Sequence, residues 1–231
     1  MTIRRIIPNA ITSCNLLSGV AGLFSAFAGR PVQALVCMLA AGLFDFLDGF
    51  AARLLKSDSK IGAELDSLSD AVSFGVLPAV MLTLGMREGL GTAVLWQKAL
   101  CLLPLLVAMF SAVRLAKFNV DTRQHETFLG LPTPAAAIFC ASLSILCGQW
   151  WLILAAAAAI CVLLVCEIPF FSFKKGSGSS FADNIKITCF ASISAIAVIL
   201  AVVLSWHWTA IPLGITLVYI AENLILAAFR I

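Results

Sequence analysis

An all-α, polytopic transmembrane bundle of about eight spans is the fold class this sequence predicts, on three observations. Of 231 residues, 61% are hydrophobic and 12% charged, with a mean hydropathy of +1.05. A water-soluble domain of this length has too little interior for so much apolar surface. The apolar residues gather into runs of helix length separated by short polar breaks, as bilayer-crossing segments do. Basic residues and tryptophans fall in alternate breaks, which is the charge and aromatic asymmetry of a membrane protein.

The runs lie at about 9–29, 31–55, 61–85, 92–117, 132–148, 150–168, 184–205 and 208–229. Pro8, Pro31, Pro132 and Pro212 stand at or just inside helix starts, where a missing N–H costs nothing. Pro169 follows the sixth run, and Pro78 and Pro104 fall inside runs, where they are expected to kink the helix. Arg4 and Arg5 before an apolar run ending Ala26-Phe27-Ala28 mimic a signal peptide. Asn9, Thr12, Ser13 and Asn15 interrupt that run, so a retained first helix is expected.

Orientation follows from charge. With the N-terminus inside, Arg4, Arg5, Arg53, Lys56, Lys60, Arg114, Lys117, Arg123, Lys174, Lys175, Lys186 and Arg230 are all cytoplasmic, and only Arg30, Arg87 and Lys98 lie outside. Trp96, Trp150, Trp151, Trp206 and Trp208 then all sit at outer helix ends as an interfacial belt. The stretch Lys174-Lys175-Gly176-Ser177-Gly178-Ser179-Ser180 is linker-like. It divides a six-helix core, 1–173, from a linker and two-helix hairpin, 174–231, of the same membrane domain. The cysteines fall mostly inside apolar runs without a CxxC pair and read as small packing residues. Net charge is +3 with no dense basic stripe, which excludes a nucleic-acid surface.

The chemistry is concentrated in Asp45-x2-Asp48-Gly49-x2-Ala52-Arg53-x8-Gly62-x3-Asp66-x3-Asp70. A carboxylate at a bilayer centre costs roughly 2.5–3.5 kcal/mol on insertion scales, so four together require compensating positive charge. Asp45 and Asp48 share one helix face, and Gly62, Asp66 and Asp70 share another. A polar turn between them, Leu54 to Ile61, lets the two helices face each other as an antiparallel pair. Gly49, Ala52 and Gly62 leave room beside the carboxylates. Two divalent cations, Mg2+ or Mn2+, suit such oxygen ligands, and phosphate oxygens commonly complete their shell. Arg53 carries a permanent planar charge suited to phosphate.

This string resembles the signature of the CDP-alcohol phosphatidyltransferase family at every fixed position. The resemblance implies an integral membrane homodimer with a six-helix core and a cytoplasm-facing site, in a bacterial cytoplasmic (inner) membrane. The implied reaction moves a phosphatidyl group from CDP-diacylglycerol to an alcohol and releases CMP. It implies Asp45, Asp48, Asp66 and Asp70 as metal ligands, with Asp66 and Asp70 catalytic and Asp70 as general base. Gly49, Ala52, Arg53 and Gly62 would then line the CDP site.

Three further stretches are similar to the phosphatidylserine synthase branch: Ile7-Pro8-Asn9-Ala10-Ile11-Thr12 with Asn15-Leu16 and Gly19; Arg114 to Val120 with Phe128 to Ala135; and Ile168 to Lys174. Lys117 stands where that branch more often has arginine. L-serine is therefore the expected acceptor, with Arg114 or Lys117 holding its carboxylate and Asn119 in the same pocket. A positive anchor at a helix end is the competing use of the two basic residues. Glycerol 3-phosphate or an inositol-type acceptor would want basic residues too. Asn9, Thr12 and Asn15 recur every three residues and are expected at the cytidine or ribose, with interhelical bonding as the competing use. A cation transporter is the reading from another class, but it predicts carboxylates at several depths, whereas Asp45 to Asp70 cluster on one side.

Overall fold

A computed structural model describes residues 3–57, 59–90, 99–120, 128–170, 190–191, 194 and 207–229. The described chain runs α1 (Ile3–Phe27), α2 (Pro31–Leu55), α3 (Lys60–Asp70), a π-helical segment (Ala71–Val76) and α4 (Leu77–Leu90). A 3-10 turn (Leu103–Leu105) then opens α5 (Leu106–Val120), followed by α6 (Thr133–Leu146), α7 (Trp150–Val165) and α8 (Ala210–Phe229). The one departure from helix among these elements is a two-residue antiparallel pair, β1 (Phe128–Leu129) with β2 (Pro169–Phe170), in which Phe128 opposes Phe170.

Among the described residues, five helical stretches are long and apolar enough to cross a membrane: Ile6–Phe27, Pro31–Leu55, Lys60–Leu90, Leu103–Val120 and Ala210–Ala228. This is the polytopic helical bundle expected from composition. The fifth and sixth predicted spans are helical but contain only 14 and 16 residues. At 1.5 Å per residue they reach about 21 and 24 Å, short of a hydrocarbon core of about 30 Å. The seventh predicted span, the linker at 174–180 and the division at 173/174 lie outside the described residues, apart from helical Phe190, Ala191 and Ser194.

Local chemistry explains the boundaries. Pro31 begins α2, and Lys56 ends it in the left-handed conformation at φ 46°, its N–H returning to Ala52 O and Arg53 O. Ser59 caps α3, its hydroxyl accepting the Gly62 N–H at 3.0 Å. Pro8 lies inside α1, which begins earlier than the apolar run suggests. The third span stays continuous through Pro78 because the preceding turn widens. Leu77 N–H bonds to Val72 O, five residues back, which relieves the crowding a proline imposes on the turn before it. Pro104 does not kink a helix interior. It occupies the 3-10 turn that opens α5, where its missing donor has no partner to lose.

Helix α6 lies at the centre, packed against α2, α4, α7 and α8. One core fills the space among α1, α2, α4 and α6 with Leu35, Met38, Phe74, Leu77 and Met81. The other lies across α4 and α6, where Leu82, Met86, Ile153, Ile160 and Leu164 meet Tyr219 and Ile220 of α8. Large apolar side chains such as Leu17, Phe24, Phe46 and Val162 point outward, as they do where lipid is the solvent. Helix α1 packs against both α2 and α3, whereas α2 and α3 touch each other little. The pair expected from sequence therefore meets through its carboxylate side chains rather than through close backbone contact. Carboxylates on both facing sides repel at short range and need space for counter-charge.

Candidate active site

The acidic residues come from helix ends that share one turn. Asp45 and Asp48 lie in the last three turns of α2, Asp66 and Asp70 in the second half of α3, and residues 56–59 join the two helices. Carboxylate oxygens of Asp45, Asp48 and Asp66 lie within 4.8 Å of one another. Carboxylates gathered this closely repel unless a proton or a cation is shared among them. Asp48 is buried, and its Oδ2 has no hydrogen-bond partner among the described residues. An orphaned carboxylate oxygen in an all-oxygen cluster fits a hard divalent cation, so the trio can hold a metal ion. Asp70 stands outside the trio but close enough to feel all three of its neighbours' charges.

Helix α1 sets these side chains. Asn15 Nδ2 donates to Asp70 Oδ1 at 3.0 Å, and Thr12, whose hydroxyl donates to Pro8 O at 3.0 Å, stands close to Asp48. Two serines fasten α1 to the other side of the site: Ser69 Oγ donates to Thr12 O at 3.3 Å, and Ser73 Oγ to Asn15 O at 3.2 Å. Gly19 lets the π-helical segment close in, since a Cβ there would strike Ser73. Asn15 is thus an interhelical partner of an aspartate, and Thr12 stands near another. Asn9 approaches Gly62, where an added Cβ would lie 3.0 Å from Asn9 Oδ1 and from Ser59 Oγ.

Gly49 is different: a Cβ built there meets nothing within 4 Å. Ala52 is half-buried and Arg53 exposed beside it, so the wall of the site next to Asp48 is open. From α5, Arg114 is buried and donates to Thr133 Oγ1 at 3.0 Å. Asp70 lies within its electrostatic reach. Asn119 is exposed and donates to Ser67 Oγ at 2.8 Å, tying α5 to α3, and Lys117 is exposed. The four aspartates, Thr12, Asn15 and Arg114 therefore meet in one network, while Lys117 stays at its edge.

Sequence reasoning gave no role to Ser69, Ser73 or Thr133. The two serines carried a usable signal, because each follows an aspartate by three residues and so extends the same polar face. Thr133 carried none, since its partner is brought to it only by the packing of α5 against α6.

A family model described as CDP-alcohol phosphatidyltransferase matches residues 5–166. A CDP-diacylglycerol--serine O-phosphatidyltransferase of Mycobacterium tuberculosis is 33% identical over 216 residues, 85% of this chain and 71% of its own. One of Bacillus subtilis is 32% identical over 188 residues, 78% of this chain and 96% of its own. An archaetidylserine synthase of Methanothermobacter thermautotrophicus is 35% identical over 134 residues, 57% of this chain and 54% of its own. The matched stretch takes in everything from α1 to the end of α7 and with it the whole polar network, and the chain belongs to the CDP-alcohol phosphatidyltransferase family.

Proposed function

We propose that the protein transfers the phosphatidyl group of CDP-diacylglycerol to the hydroxyl of L-serine, giving phosphatidylserine and CMP. The observation that carries the reading is the meeting of Asp45, Asp48 and Asp66 within 4.8 Å, with Asp70 beside them and an open wall at Gly49. The choice of serine is supported by relatives of that name matching most of the chain. It is further supported by the buried guanidinium of Arg114, suited to a carboxylate.

In this reading Asp45, Asp48, Asp66 and Asp70 hold two divalent cations, Mg2+ or Mn2+. When bound, these supply the positive charge that the diphosphate and the leaving phosphate require. The open space at Gly49, with Ala52 and Arg53 following it on α2 and Gly62 contributed by α3, receives the CDP moiety. Asn9, Thr12 and Asn15 line the α1 side of that pocket, Asn15 chiefly by orienting Asp70. The serine oxygen attacks the phosphorus that bears the diacylglycerol, and the bond from that phosphorus to the bridging oxygen of CMP breaks. CMP leaves with the electron pair, and Asp70 accepts the hydroxyl proton. Arg114 binds the serine carboxylate, with Lys117 and Asn119 nearer the pocket mouth.

The protein is read as a homodimer of a bacterial cytoplasmic membrane, with its N-terminus and site facing the cytoplasm. The charge asymmetry of its polar breaks supports this orientation. The test is CMP release by purified enzyme given CDP-diacylglycerol and one acceptor at a time. L-serine is expected to support turnover. Release with glycerol 3-phosphate but not with serine would reject the acceptor while leaving the family chemistry intact.

A further inference from the structure

Beyond the aspartates, the polar network continues into a part of the fold to which no role has yet been given. Arg114 is 6% exposed and Thr133 0%, and the bond between Nη1 and Oγ1 is 3.0 Å long. A guanidinium inside a membrane span is held only where its direction is settled by hydrogen bonds and packing. Phe118 contributes on the same helix, its ring centroid 5.7 Å from the guanidinium carbon. Asp70 and Tyr219 both lie within electrostatic reach of Arg114.

Thr133 is itself placed from the opposite side. It is the first residue of α6, and the chain just before it is clamped to the end of α7. Gly130 N–H donates to Ile168 O at 2.9 Å and Leu131 N–H to Leu163 O at 2.8 Å. Gly130 adopts φ +79°, and a Cβ there would come within 2.8 Å of Leu164 O. The β1–β2 pair continues the same buckle. The segment that opens α6 is thus fastened by its backbone to the end of α7, and from that anchored start Thr133 meets Arg114.

We propose that Thr133 is a positioning residue for acceptor selection: its hydroxyl fixes the direction of the Arg114 guanidinium, so that an acceptor carboxylate is bound in one orientation and its hydroxyl is presented to Asp70. The inference rests on the serine reading above and deepens it. A planar fork binds a carboxylate well only in one orientation, so loss of the threonine hydroxyl weakens serine binding while the lipid nucleotide is unaffected.

The experiment measures kcat and KM for L-serine and for CDP-diacylglycerol in wild-type, Thr133→Val, Thr133→Cys and Thr133→Ser enzymes. Thr133→Val is expected to raise the serine KM about tenfold, the loss usual for one hydrogen bond to a charged group. The CDP-diacylglycerol KM stays within about twofold, and Thr133→Ser restores the serine KM. Should the valine variant fail to fold, Thr133→Cys gives the same reading, because sulfur is a weak acceptor. A serine KM unchanged in a folded variant, or both KM values rising together, overturns the inference while serine-dependent turnover of the wild type preserves the underlying reading. Wild-type CMP release that does not depend on serine removes both.

Discussion

Asp66 and Asp70 occupy the same helix face but different surroundings. Asp66 joins Asp45 and Asp48 within 4.8 Å, whereas Asp70 accepts a hydrogen bond from Asn15. Under the proposed function Asp66 is a metal ligand and Asp70 the base, and the two should respond differently to substitution. Asp66→Asn keeps the volume and removes the charge, so it is expected to lower CMP release by more than about 100-fold, beyond the 10–100-fold typical of outer-shell changes. The elution profile in detergent should stay that of the wild type. Near-normal turnover would remove Asp66 from the metal site. Asn15→Ala deletes the donor to Asp70 and is expected to lower kcat about 10–100-fold with little change in the CDP-diacylglycerol KM. Collapse of CDP-diacylglycerol affinity at constant kcat would instead assign Asn15 to the nucleotide, the use first expected of it.

Helix α1 packs against both α2 and α3. The glycines along these elements divide into two kinds. Gly62 and Gly19 permit close approach of helices, whereas Gly49 faces open space. Gly49→Leu should therefore leave thermal stability in detergent nearly unchanged yet block CDP-diacylglycerol binding, measured by direct titration. Unchanged affinity would show that the open wall is not the nucleotide pocket. Gly130 belongs to the buckle before α6, at φ +79°. Gly130→Ala is expected to destabilise the protein by about 1–2 kcal/mol from backbone strain alone, and more if Leu164 O cannot yield, read as a lowered melting temperature. The π-helical turns at Ala71–Val76 are a second special element. They let one long helix carry Asp66 and Asp70 at its start and still pass Pro78 unbroken.

At the scale of the molecule, the polar network gathers where α1, α2, α3, α5 and α6 meet, and the two apolar cores hold those helices around α6. That arrangement predicts that metal removal should silence chemistry without unfolding the bundle. Chelation by EDTA is expected to abolish CMP release and leave the far-UV helical signal unchanged, with activity returning on addition of Mg2+ or Mn2+. Full activity in chelator would exclude the dinuclear account. The apolar cores do not depend on the cation, so loss of helical signal on chelation would mean the metal is structural.

What could be read without tertiary structure was whatever depends on near neighbours in the chain. Composition and the length of apolar runs determined a membrane bundle, because burial is set by lipid for each helix separately. Pro31, Pro132 and Pro212 marked helix starts, and the three- and four-residue spacing of Asp45, Asp48, Asp66 and Asp70 declared one-sided carboxylate faces. Only the tertiary structure decided that α2 and α3 meet through carboxylate side chains rather than close backbone contact, that Asn15 meets Asp70 across 55 residues, and that Thr133 meets Arg114 across 19. Side-chain spacing along one helix is fixed by its pitch, but which faces of different helices meet is settled by packing, and hydrophobic patterning in lipid carries little record of that.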